Sequence, residues 1–133
     1  MGDRRQDSIN FDTYQSIKPA AITSTTTGSA VDLQGFNGAT VIVDCGVWTD
    51  GTHTVTMTEC QASAGSYTAV GTADRGSLPA AISGTAGASQ MYRIPYTGSL
   101  RYIKVLDTVV AGTAGMVLSA SVIRSLPQTA PVA

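Results

Sequence analysis

Short β-rich runs, each cut off by Gly, Asp or Asn, recur from residue 20 to residue 124, and no helix-length apolar stripe interrupts them. That rhythm confines the chain to all-β architectures, because half-buried strands must close on one another as a sandwich or barrel. The spacing predicts eight strands, near 20–25, 29–33, 39–48, 53–61, 67–70, 90–96, 100–110 and 115–124. The only helical candidate is a turn around 74–82, which Pro79 shortens. In the last run Met116, Leu118, Ala120 and Val122 alternate with Val117, Ser119, Ser121 and Ile123. The two serines mark the second set as outward, which leaves the first as the core face. Other long runs carry apolar residues on both faces, as expected of a sandwich whose outside is covered by a second copy.

A chain of 133 residues fits one domain. The ends differ from the middle. Residues 1–18 hold six of the seventeen charged side chains (eight basic and nine acidic in all) and show no period. They are expected to form an N-terminal arm carrying Phe11, Tyr14 and Ile17. The sandwich domain is then 19–125, and 126–133, with two prolines and no charge, is an extended C-terminal tail. Charged residues make up 13% of the chain, about half the usual share, and Thr, Ser, Ala and Gly fill the gap. Solubility must then come from hydroxyls, or much of the surface is covered by a partner.

Net charge is −1, and no basic run exceeds the pair Arg4-Arg5. A nucleic-acid partner is therefore not expected, since phosphate neutralisation needs a basic stripe. Nor is a membrane, since no apolar run approaches the ~18–20 residues that span a bilayer. The first residues are charged where a secretory signal needs an apolar core, so cytoplasmic synthesis and reduced thiols are expected.

Residues 43–60 gather both cysteines, the only histidine, the only tryptophan and three of the nine carboxylates. Asp50-Gly51 between two β-rich runs is a strong hairpin signal. A two-residue turn would set the valines of 41–47 beside threonines. A three-residue loop pairs Val47 with Val55 and Cys45 with Met57, gathering apolar residues on one face, so burial favours it. In either register Cys45 and Cys60 sit roughly 10–13 Å apart along the strands, too far for a disulfide. Two free thiols are expected, with Cys45 a small buried hydrophobe.

His53, beside the turn with no second histidine, reads as exposed. Trp48 either anchors an interface or caps the core. Zinc needs more N and S ligands than His53 and two cysteines on different faces supply, so no metal or cofactor is expected. Residues 83–89 are glycine-rich but lack the lysine and spacing of a phosphate cradle. Arg93, Arg101, Lys104 and Arg124 on the late strands read as a solvated face. No carboxylate pair or nucleophile with a base stands out, so no catalytic residues and no enzyme are expected.

Three stretches carry a resemblance. Residues 21–70 hold Val31-Asp32-Leu33-Gln34-Gly35-Phe36 leading into Gly38-Ala39-Thr40-Val41-Ile42-Val43, then Thr49-Asp50-Gly51 and Tyr67-Thr68-Ala69-Val70. Gly98-Ser99-Leu100-Arg101-Tyr102-Ile103-Lys104-Val105 and the final strand follow. Together the pattern, over residues 20–124, is similar to the capsid cement (decoration) proteins of tailed bacteriophages, of the Bordetella phage type. The chain departs from it in the Ser- and Ala-rich turn at 62–66.

The resemblance implies a jelly-roll β-sandwich on the capsid surface of the virion, bound as a dimer to the major capsid protein and bridging neighbouring subunits. It brings no catalytic residues. Under it, Phe11, Tyr14 and Ile17 on the arm are apolar anchors, Arg4 and Arg5 pair with acidic capsid loops, and Trp48 is a further contact. The competing class is a tail, fibre or carbohydrate-recognition module. Against it, aromatics are only 6% and form no obvious stacking platform.

Overall fold

In the computed structural model, which describes residues 10–128, the alternating runs become two antiparallel sheets laid face to face. In chain order the strands are β1 (Phe11–Ile22), β2 (Thr26–Thr27), β3 (Val31–Asp32), β4 (Phe36–Trp48), β5 (Thr52–Cys60), β6 (Thr68–Ala69), β7 (Met91–Tyr96), β8 (Tyr102–Val110) and β9 (Met116–Pro127). One sheet has the order β1-β9-β4-β7. The other runs β2-β8-β5-β6, with β3 also paired to β8. Taking β2 and β3 as halves of one broken edge strand, this is the eight-stranded jelly-roll order. The last strand, β9, lies between the first and the fourth.

The core is the layer between the sheets. Met116, Leu118, Ala120 and Val122 of β9 are each at most 1% exposed, as the alternation predicts. Val41, Val43 and Cys45 of β4 join them from the same sheet, and Val55, Met57, Ile103 and Val105 from β5 and β8 opposite. Each fully buried Val, Ile, Leu or Met contributes about 1.5–3 kcal/mol, so this layer is the main source of stability. Ser16 stitches the edges: its hydroxyl donates to the Ser29 carbonyl at 2.9 Å and accepts the Val105 N–H at 3.1 Å.

Four expectations are corrected. The hairpin across Asp50-Gly51 does not form, because β4 belongs to one sheet and β5 to the other. Their apolar residues do share a layer, but they meet face to face across the sandwich instead of side by side. Neither register is realised, since the turn reverses the chain without choosing its partner. Residues 11–18 are no arm but most of β1, paired with β9 from Phe11↔Ser125 to Ile22↔Met116. At the other end β9 runs to Pro127, so the sandwich extends past 125 on that side. Residues 75–82 form no helix, and only a single 3-10 turn, Thr72–Asp74, precedes them. They cross between the sheets in extended form, with isolated bridges Arg75↔Tyr96 and His53↔Ile82, and bury Ile82 to 2%.

Candidate functional site at the open end of the sandwich

Strand direction sorts the connections into two groups. The β1–β2, β4–β5 and β8–β9 loops meet at one end. The β3–β4, β5–β6 and β7–β8 loops meet at the other, as the pairs Ala39↔Tyr96, Glu59↔Ile103 and Val31↔Ile103 require.

The first end is closed by Asp50. Its carboxylate accepts the backbone N–H groups of Thr113 (2.9 Å), Ala114 (3.1 Å) and Gly115 (2.7 Å), and the Thr113 hydroxyl. The Thr113 hydroxyl, followed by these N–H groups, holds the Asp50 carboxyl far below the usual carboxylate range. Gly115 is required there. Its φ is +74°, and a Cβ would collide with the Ile22 carbonyl oxygen. Trp48, half-buried against the core, donates its indole N–H to the Gly51 carbonyl at 2.9 Å, which makes it a cap on this end.

Just inside lies a group the sequence reading misplaced. His53 is not an exposed turn residue: it is 0% exposed, and its Nδ1 lies 2.7 Å from Oδ2 of Asp107, itself 0% exposed. The hairpin reading hid this, because the partner is 54 residues away on β8. A signal was present in the period: His53 shares its face with Val55 and Met57, and Asp107 shares its face with Ile103 and Val105. Among the described residues His53 Nε2 and Asp107 Oδ1 have no hydrogen-bond partner. Cys45 is buried, and both cysteines are free thiols. Burial, reinforced by the negative charges of Asp107 and Asp44, pushes the Cys45 thiol up to about 11, so at neutral pH it is a protonated, weakly nucleophilic side chain.

The second end is open. A cleft of 540 Å³ enters between its loops, lined by Gln34, Phe36, Gln61, Ser99, Arg101 and Gln128. Its floor includes Ala39 and Tyr96, which are 7% and 5% exposed. The β3–β4 loop is shaped by Asp32, whose Oδ1 accepts the Gln34 N–H at 2.9 Å, and by Gly35 at φ +91°. Tyr96 is fixed from both sides: its hydroxyl donates to Glu59 at 2.6 Å and accepts the Leu100 N–H at 3.2 Å. Burial, followed by that bond to Glu59, raises the Tyr96 phenol well above its ordinary value.

The predicted partner residues distribute unevenly. Phe11 and Tyr14 lie on β1 at the open end, 43% and 54% exposed. Leu126, expected to begin the tail and not among the predicted contacts, joins them there, 66% exposed and held at φ +51°. Ile17 is 3% exposed and belongs to the protein's own core, so it is not an anchor for a partner. Arg4 and Arg5 lie outside the described residues. Of the late-strand basic residues only Arg93 is exposed and without an ion pair among the described residues; the other three are engaged within the chain. Arg101 grips Asp32 through Nε (2.9 Å) and Nη2 (2.8 Å), and Lys104 sits over Tyr67 at 4.0 Å. Arg124 stacks between Tyr14 and Phe36, at 4.4 and 4.6 Å, and pairs with Asp12. Among the described residues no group of three or more His, Cys, Asp or Glu could hold a metal ion.

No family model matches the chain, and no curated protein matches it. Among solved structures it is similar to the SPBc2 prophage-derived protein YomS. The TM-score is 0.57 with 16% sequence identity, over 86% of this chain and 92% of that one. The two chains share a fold over nearly their whole lengths.

Proposed function

We propose that the protein is a structural component of a tailed-phage head: a cement protein on the capsid surface that binds the major capsid protein lattice and bridges neighbouring subunits, as a dimer. The observation that carries this reading is the outer face of the β1-β9-β4-β7 sheet. Met91 and Val117 are 64% and 44% exposed there, Ile42, Ile123 and Pro95 are half-buried beside them, and Ser119, Ser121 and Thr40 fill the space between. A flat, weakly charged face with exposed apolar side chains suits protein contact.

On β4 and β7 this face carries one acid and one base, Asp44 and Arg93, and neither makes an ion pair among the described residues. Under two-fold symmetry the Asp44 of one copy meets the Arg93 of the other, twice over. The dimer then presents two copies of each remaining contact, and linked weak contacts hold far more tightly than single ones. The phage setting is supported by the prophage origin of YomS, with which the fold is shared, and by the motifs that resemble cement proteins.

The test is density-gradient separation of particles from cells that make the protein in its native genomic context. Co-migration with DNA-filled heads, at a copy number close to that of the major shell subunit, is the expected result. A few copies per particle point to a tail or fibre component, and absence from particles overturns the reading. Met91→Glu with Val117→Glu should break the dimer, and with it tight shell binding, and leave the domain folded, because both side chains are exposed. Removing residues 1–9 tests Arg4 and Arg5 without touching β1, whereas a deletion to residue 18 would take most of that strand with it.

A further inference from the structure

We infer that the cleft at the open end is a binding site for a neutral saccharide. It does not depend on the shell reading, since the cleft and the outer sheet face are separate surfaces. Four carboxamides stand around the cleft, those of Gln34, Asn37, Gln61 and Gln128. Each offers two donors and an acceptor with two lone pairs. Among the described residues only one bond uses any of them, a long 3.4 Å contact in which Gln128 Nε2 donates to Asn37 Oδ1. The Ser99 hydroxyl is likewise unused. A wall that can both donate and accept at several points fits vicinal hydroxyl groups, each of which also does both.

Charge narrows the class further. Arg101 is the only charged side chain among the described residues that line the cleft, and its guanidinium is already held by both oxygens of Asp32. An anion would therefore gain little, and a cation would find no free carboxylate on the wall. A purely apolar ligand would leave the amides without partners. The floor adds a small apolar patch from Ala39 and Tyr96, which are 7% and 5% exposed. The Tyr96 ring cannot swing, because its hydroxyl is fixed by Glu59 and Leu100. The volume of 540 Å³ falls inside the ~300–1,000 Å³ range of small-ligand sites. Hydroxyl bonds made here replace bonds to water, so affinity is expected near about 1 mM.

The experiment is a titration of the ¹⁵N-labelled full chain with maltotriose, cellotriose, chitotriose and lactose, followed by two-dimensional NMR. The expected result is that at least one sugar shifts the backbone signals of residues 34–38 and 98–101 and the side-chain NH₂ signals of Gln34 and Gln61. The double variant Gln34→Ala/Gln61→Ala should bind that sugar about tenfold or more weakly. Both side chains are exposed, so the variant's own spectrum reports that the fold is intact. No shifts with any sugar at ~50 mM overturn the inference. So do shifts confined to other residues, equal binding by the double variant, or the same shifts produced by sodium sulfate alone, which would make the cleft an anion site on Arg101.

Discussion

The two ends of the sandwich are built from the same kinds of residue and behave oppositely. At one end most polar groups are bonded to each other: Asp50 gathers the 113–115 backbone, Trp48 reaches Gly51, and His53 meets Asp107 below, with only Nε2 and Oδ1 of that pair left over among the described residues. At the other, Arg101–Asp32 and Tyr96–Glu59 shape the loops, and the outermost amides make only one long bond among the described residues. Polar satisfaction inside the chain marks an end that holds the fold. Polar groups arranged around a cleft but unused mark an end available to something else.

Substitutions can break this contrast, and the largest effect is expected from Asp107→Ala. It leaves His53 sealed in the core without its partner, and removing one member of a buried pair costs about 3–5 kcal/mol. Urea unfolding should show the midpoint falling with the slope unchanged. Replacing both by apolar residues, His53→Leu with Asp107→Val, should recover most of the loss. A double variant as unstable as the single one would mean that the pair holds more than itself.

Gly115→Ala comes next, at about 1–3 kcal/mol, because it combines a left-handed backbone with a collision at the Ile22 carbonyl. Thermal unfolding reads it directly.

The Asp50 clamp gives a smaller, pH-dependent effect. Its folded pKa is depressed, so its contribution is complete above the unfolded value of about 3.8. It is lost progressively as pH falls through and below that value. Hydrogen exchange at Thr113, Ala114 and Gly115 should therefore accelerate below pH 4 relative to the strand cores, and Asp50→Asn should remove that acid dependence. Exchange that is flat from pH 5 to pH 2 would show that the clamp does not hold this end.

The smallest effect belongs to the open end. Gln34→Ala with Gln61→Ala should change stability by no more than about 0.5 kcal/mol, the usual range for exposed positions without structural partners. A larger loss would mean that the amides support the fold, and the contrast between the ends would fail.

What the sequence disclosed follows the same line. The β9 alternation was legible because burial on one face writes a period of two into neighbouring residues, and Met116, Leu118, Ala120 and Val122 obey it. The free state of Cys45 and Cys60 was also anticipated, though for a different reason, since the two lie in opposite sheets and not on the arms of one hairpin. The partner of a strand is not written locally. Asp50-Gly51 dictates a reversal, and in this topology the reversal carries the chain to the other sheet. Two errors descend from that point, the hairpin and the exposed His53; the detached arm came instead from the charges and missing period of residues 1–18. The open-end cleft was invisible for the same cause as the hairpin, since Gln34, Gln61 and Gln128 come from parts of the chain that only the topology brings together.

The place of β9 between β1 and β4 has a consequence for how the protein is made. A ribosome delivers the amino end first, and β1 and β4 then wait with unpaired edges until the final strand emerges. No segment that lacks β9 can close this sheet, so the sheet forms only once β9 has been made and folding is close to all-or-none. The waiting segment, rich in Val and Ile from 41 to 43, is the stretch most exposed to wrong partners during that delay. Losing residues 116–127 would thus remove the strand that joins β1 to β4, and with it the sheet as a whole.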